Sequence, residues 1–299
     1  MSLLAAALLT LAACHAEQAP SRPFDGARAL AYAGTQVAFG PRIPGTPGHE
    51  AQARWLDSML AARADTVVVQ HWVHVTARGD SLPLTNFIAR FNPGAAKRVL
   101  FLAHWDTRPI SDGTNATPED RPHPVPGAND GASGVAVLLG VADALKARAP
   151  GIGVDLLFAD GEDYGDFSTE RNDVLIGSRY YAAHQLEPKP LYAVLFDMIG
   201  DKSLRISAEG NSMIGAPEVV DLVWETARQQ GYGSVFVPYD NVTLVDDHVE
   251  LQQAGIRAID VVDFDYPYWH TPRDTMDKIS AESLGIVGRV ALALIARAE

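Results

Sequence analysis

Carboxylates and imidazoles recur in this chain where apolar runs end. His104 and Asp106 follow the run of VLFLAHWDTRP, Asp130 lies in GANDGASG, Glu162 and Asp163 follow LLFADG, Asp197 closes AVLFD, and His270 stands in YPYWHTP. Apolar runs of this length are buried strands, and strands that stop at one edge of an open sheet deliver their next side chains to a common place. Acids and histidines delivered together are the ligand types of a zinc site, with a spare acid available to move protons.

Each residue also has a plainer reading. Asp130 precedes a helix-like stretch and could be an N-cap. Glu162 and Asp163 could be a solvated acidic loop after Gly161, and His270, beside Trp269 in an aromatic run, could be a core histidine with its hydrogen bonds satisfied. Asp197 is harder to read that way, because a carboxylate inside LYAVLFDMIG costs stability unless it meets a metal, a cation or donors. It is improbable that so many residues at successive strand ends are all incidental. His49, His71, His74, His123 and His184 lack such settings and read as surface or packing residues.

The elements that must position these residues alternate. Helix-period spacing predicts helices over 27–39 and 49–62, separated by a Pro/Gly turn at 40–48. Strands are expected at 66–76, 87–91 and 98–103, the last leading into His104. A polar, Pro- and Asp-rich loop spans 110–127. Beyond it come a helix at 132–149, a strand at 154–159, a helix at 176–184 and a strand at 192–196. A strand at 204–208, helices at 216–230 and 247–254, a strand at 258–264 and a helix at 281–298 complete an α/β chain. Segments 164–172 and 240–245 read as loops beside the site.

With 299 residues and 47% hydrophobic content, one large core is possible. Thirty-seven acidic against 24 basic residues give a net charge of -13; the bases are dispersed, which excludes a nucleic-acid partner. Residues 1–14 are apolar, too short to span a bilayer as a mature helix, and suit a signal peptide. They end in Leu11, Ala12, Ala13 and Cys14, which resembles a bacterial lipobox. The expected organisation is signal peptide and lipobox at 1–14, a tether at 15–23 and one zinc-dependent catalytic domain at 24–299. The location expected is periplasmic, with membrane contact only through a lipid anchor at Cys14. Cys14 is the only cysteine in the sequence, so the catalytic domain has no disulfide.

The order His-x-Asp, Asn-Asp, an acid pair after Gly, Asp after a strand and His-Thr-Pro resembles the zinc aminopeptidase superfamily that also contains the animal-type glutaminyl cyclases. The segments VAFGPR, AHWDTRP, GANDGASGV, EDYG, IGSRYY, DMIG, DDH and YWHT are most similar to its bacterial glutaminyl cyclases. That resemblance implies a three-layer αβα sandwich around a mixed, mostly parallel central sheet. It also implies one Zn2+ per chain on Asp130, Asp163 and His270, with Asp163 where many members carry Glu. Glu162, Asp197 and Asp246 become the catalytic acids and Trp269 a substrate-binding wall, the substrates being peptides or proteins with N-terminal glutamine. His104 and Asp106 would support the zinc from beneath or serve a second metal. A two-zinc aminopeptidase would use His104, Asp130, Asp163, Asp197 and His270, all present. Asp246, where the aminopeptidases commonly have Ser, and Trp269 fall on the cyclase side. An inactive peptide-binding lipoprotein on this fold would be expected to have lost an acid or a ligand, and none is missing.

Overall fold

The computed structural model describes residues 23–169, 171–239 and 241–299. The signal-peptide and lipobox segment, Cys14 and nearly all of the tether lie outside the described residues. Among those described, no helix is long and apolar enough to cross a membrane.

A six-stranded sheet forms the centre, with strands β1 (Thr66–Val75), β2 (Ser81–Phe91), β3 (Arg98–His104), β4 (Gly153–Ala159), β5 (Ala193–Asp197) and β8 (Ala258–Val262) in the order β1-β2-β4-β3-β5-β8. β4, β3, β5 and β8 run parallel, and β1 and β2 extend the sheet as antiparallel strands. β3, β4, β5 and β8 are buried throughout, which is why their sequences read as continuous apolar runs rather than alternating ones. Along β3, Val99, Phe101 and Ala103 pack into one core, and Leu100 and Leu102 into another on the opposite face.

Helices α1 (Gly26–Ala38), α2 (Pro47–Ala61), α3 (Ala132–Ala147), α6 (Pro217–Gln229) and α8 (Ala281–Ala298) build the first core. Helices α4 (Ile176–Ala183) and α7 (Asp247–Gln253) build the second, through Tyr181 and Leu251. The result is the expected αβα sandwich. Side-chain caps begin several of these helices: Asp25 accepts from the Arg28 N–H at 3.0 Å and Ser280 from the Ser283 N–H at 3.1 Å. α3 is apolar on all sides, as a helix wedged between the sheet and α1 and α8 must be.

The parallel strands all present their C-terminal ends at one edge. The chain leaves β3 through α3 to β4 on one side, then crosses through α4 to β5 on the other, so β3 is a topological switch point where a crevice opens. His104, Glu162 and Asp197 lie at or just past the ends of three adjacent strands there.

Three departures from sequence-based expectation have local causes. β2 begins at Ser81, not 87; Pro83 is tolerated because β2 pairs only with β1 until Phe87, leaving one side free of ladder bonds. The strand expected at 204–208 is Ile206–Ser207 (β6), which pairs with the two-residue β7 (Phe236–Val237) rather than joining the central sheet. Between them lies a short helix, α5 (Gly210–Gly215), that no apolar period announces. It is started by Glu209, whose carboxylate accepts from the N–H groups of Asn211 and Ser212.

Candidate active site

At the strand-end edge the structure brings together every residue singled out for chemistry. Two groups of buried ligand atoms have the closeness a metal ion requires: Asp130, Asp163 and His270 in one, His104, Asp130 and Asp197 in the other. Asp130 belongs to both. His104 Nε2 is 3.0 Å from its Oδ1, and His270 Nε2 is 3.6 Å from its Oδ2. The N-cap reading of Asp130 does not hold, since α3 is entered through Gly131 with no side-chain cap. Gly131 is needed there because a Cβ would lie 2.5 Å from the His104 carbonyl oxygen, so the turn carrying Asp130 rests directly on the end of β3.

The donor set suits a zinc ion. His270 Nδ1 lies 3.0 Å from Asp112 Oδ1, so in the neutral ring Nε2 keeps its lone pair facing Asp130 and Asp163. Asp163 spends Oδ1 on the Arg108 guanidinium at 2.8 Å, while its Oδ2 is buried with no partner among the described residues. A buried, unpartnered carboxylate oxygen beside an imidazole Nε2 and a second carboxylate is a place for a dication. Two carboxylates and one histidine leave a coordination position open, as catalysis requires. His104 Nδ1 and Nε2 and Asp197 Oδ1 are likewise buried without hydrogen bonds, so the second group retains free donors as well. Asp197 Oδ1 lies 3.3 Å from His104 Nε2, and its charge also acts on the nearby Asp246 carboxyl.

Several groups that hold this arrangement were not legible in the sequence. Arg108 donates through Nε and Nη2 to Asp112 at 2.6 and 2.5 Å, and through Nη1 to Asp163 and the Gly165 carbonyl. Asp112, inside the polar loop, thereby links the guanidinium to His270. Asp274 accepts from the backbone N–H groups of Asn129 at 2.9 Å and Asp130 at 3.1 Å and from the Tyr266 hydroxyl at 2.7 Å. Arg42, fully buried, donates to the carbonyls of Pro126 and Gly127 just before Asp130. The only signals for these were a buried-type arginine in VAFGPR and an Asp four residues after His270. Asp106 belongs to neither ligand group, but its Oδ1 lies 3.5 Å from His104 Nδ1. Its carboxylate accepts from the N–H groups of Glu162 at 3.0 Å and Asp163 at 3.2 Å, so it aims the paired acids. His49, expected as a packing residue, is buried, stacks on Trp105 at 4.3 Å and pairs with Asp160, which in turn accepts from the Thr85 N–H.

Glu162 is buried, with Oε2 3.6 Å from His104 Nδ1. Burial, opposed by His104 and reinforced by Asp163, Asp246 and Asp247, pushes its carboxyl well above the usual range. Asp246 caps α7 through the Asp247 N–H at 2.5 Å; burial and the neighbouring Asp197 and Asp247 push it up strongly too. In the metal-free protein burial pulls His270 down, but Asp163, Asp112 and Asp130 outweigh it and hold the imidazole at about 9. His270 sits at φ +50° and Met198 at φ +47°, left-handed conformations that cost energy for such residues and recur at functional sites.

A cavity of about 400 Å³ opens over these groups. Asp130, Glu162, Asp197 and Asp246 line its floor and Trp269 one wall, stacked on His270 at 4.0 Å and tilted against Phe264 at 5.2 Å. Both segments expected as loops beside the site contribute, through Asp166 to Ser168 and Thr243 to Val245.

Fold and site together define a zinc-dependent α/β enzyme. The sequence profile of peptidase family M28 matches residues 86–295. Glutaminyl cyclase from Bacteroides thetaiotaomicron is 34% identical with a TM-score of 0.88, over 93% of this chain and 99% of that one. The Tannerella forsythia glutaminyl cyclase is 37% identical with a TM-score of 0.86, over 92% and 99%. A structure described as a leucine aminopeptidase precursor from Bacteroides thetaiotaomicron is similar to the same degree, at 34% and 0.89, over 93% and 98%. By sequence, mouse glutaminyl-peptide cyclotransferase-like protein is 25% identical over 85% of this chain and 71% of its own length. Bacillus subtilis aminopeptidase YwaD is 27% identical over 66% of this chain, which spans only 40% of that longer protein. The chain belongs to peptidase family M28, in the group that holds the bacterial glutaminyl cyclases.

Proposed function

We propose that the chain is a glutaminyl-peptide cyclotransferase, converting the N-terminal glutamine of peptides or proteins to pyroglutamate with release of ammonia. One observation carries the choice over hydrolysis: Asp246, buried at the head of α7, adds a third carboxyl to Glu162 and Asp197 on the cavity floor. Mutual repulsion among such acids keeps one of them protonated near neutral pH, ready to deliver a proton to a poor leaving group. Full-length likeness to several bacterial glutaminyl cyclases supports the same reading.

Asp130, Asp163 and His270 would hold one zinc ion, whose chemistry when bound is Lewis acidity toward the γ-amide carbonyl oxygen. The α-amine attacks the γ-carbonyl carbon of its own residue, so the new C–N bond closes a five-membered ring and the amide nitrogen leaves. Glu162 takes a proton from the attacking amine and returns one to the departing ammonia. Asp197 and Asp246 set the protonation state of Glu162. Trp269 walls the cavity where the folded glutamine side chain lies, and holding amine and amide in one compact conformer contributes much of the rate.

Incubation with a peptide amide carrying N-terminal glutamine tests the reading. Pyroglutamyl product with one equivalent of ammonia supports it, and release of free glutamine in its place refutes it. A second reading, a two-metal aminopeptidase with Glu162 activating a water, is favoured by the closeness of His104, Asp130 and Asp197. Metal analysis separates the two: one tightly held zinc per chain fits the cyclase and two fit the peptidase.

Export and lipid anchoring complete the proposal, on the apolar residues 1–14 and the lipobox-like approach to Cys14. Radiolabelled palmitate incorporated by the wild type and lost in Cys14→Ser would support it, and no label in either would exclude it.

A further inference from the structure

The exposed part of the cavity lining mixes apolar and charged groups. Val245 and Phe264, apolar and 47% and 40% exposed, line it together with Trp269. Asp166 lines the same cavity. Its Oδ1 closes a turn by accepting from the Ser168 N–H at 2.7 Å, the Ser168 hydroxyl at 2.5 Å and the Thr169 N–H at 3.2 Å. These donors hold the carboxyl below its ordinary range, so it is charged at neutral pH. Its Oδ2 accepts no hydrogen bond and meets no cation among the described residues.

Nothing described in the lining offsets that charge. The lining cations are Arg108 and His270. Arg108 is fully engaged by Asp112, Asp163 and the Gly165 carbonyl, and His270 by Asp112 and the metal position. A substrate with its glutamine on the floor must lay its second residue across this mouth. Exposed apolar side chains and a carboxylate on one lining suit a long side chain with a methylene stem and a cationic end. An acidic side chain, or the free carboxylate of a dipeptide, meets like charge.

We propose that the mouth sorts peptides by the charge of their second residue, with Asp166 favouring a basic residue and opposing an acidic one. The inference rests on the cyclase reading and names its substrate class: glutaminyl chains followed by a basic residue, within longer polypeptides rather than free dipeptides.

The experiment compares the amides of Gln-Lys, Gln-Ala and Gln-Glu peptides by pyroglutamate formation with the zinc enzyme. One exposed charge contact is worth about threefold, so the expected ratio of kcat/KM for Lys over Glu is about tenfold at low salt. It should be carried by KM, because Asp166 does not touch the reacting atoms. The ratio should fall toward one in about 1 M salt, where the screening length is ~3 Å. Asp166→Asn keeps the turn's acceptor and should bring the ratio toward one at low salt, while Asp166→Glu should retain it. A purely structural role would slow all three peptides by one factor and leave the ratio unchanged. A wild-type ratio near one, or a ratio that survives Asp166→Asn, overturns the inference while leaving the cyclase reading intact. No pyroglutamate from any of the three overturns both.

Discussion

Glu162 and Asp163 are adjacent in sequence and do different work because their side chains leave the loop in different directions. Asp163 is tied to Arg108 and faces His270, whereas Glu162 faces His104 and the cavity. On the proposed mechanism Glu162→Gln removes the proton carrier and leaves the proposed metal ligands, so turnover should fall by about 10²- to 10⁴-fold with zinc content unchanged. Asp163→Ala should lose the zinc as well; metal analysis and rates measured on the same preparations check both, and full activity in Glu162→Gln would remove the acid/base assignment. Asp112 makes a finer test. It holds His270 through Nδ1 and is itself held by Arg108, so Asp112→Asn should weaken zinc affinity by about 10- to 100-fold, read by chelator competition. An unchanged affinity would show that the ring is oriented by packing alone, through its stack on Trp269.

At the scale of elements, the site depends on close approach between the end of β3 and the turn that enters α3. Gly131→Ala would drive a methyl into the His104 carbonyl oxygen and toward its ring, both within 2.6 Å. Overpacking of this kind costs about 1–3 kcal/mol, and because the displaced backbone carries Asp130, zinc binding should weaken along with the urea midpoint. A loss of stability with normal zinc affinity would mean that the turn moves away from the metal ligands as a unit. The buried parallel strands and the helices around them were legible as apolar runs and helical periods. β6, β7 and α5 were not, since two-residue strands and a six-residue helix are too short for a period to register and take their form from tertiary neighbours.

The whole molecule gathers more buried acid than buried base at one edge of the sheet, and its stability should follow that imbalance. In the metal-free protein His270 titrates at about 9 and His49 and His104 are raised, while Asp247, Asp263 and Asp274 are pushed by burial to about 7. All these groups hold protons more tightly folded than unfolded, so their contribution is complete at low pH and is lost as pH rises through the folded values. The lowered acids Asp112, Asp163 and Glu209 contribute the opposite trend, which is complete by about pH 5. Between pH 6 and 9 the melting temperature of zinc-free protein should therefore fall, His270 alone accounting for about 3 kcal/mol. Zinc needs His270 deprotonated, so its affinity and its increment to the melting temperature should grow across the same interval. Scanning calorimetry with and without zinc checks this, and a flat or rising zinc-free curve would contradict it. By itself the sequence determined the α/β class, the order of the main elements and which acids and histidines stand at strand ends, because burial on both faces of a strand and the chemistry of side chains are local properties that leave local signatures. Only the tertiary structure decided that Asp130 stands between two ligand groups, that Asp246 caps a helix beside Asp197, and that Arg42, Arg108, Asp112 and Asp274 hold the ligands in place. Those contacts join residues far apart in the chain, such as Asp112 and His270 or Arg42 and Gly127, and a pairing made by folding leaves no period or spacing to read.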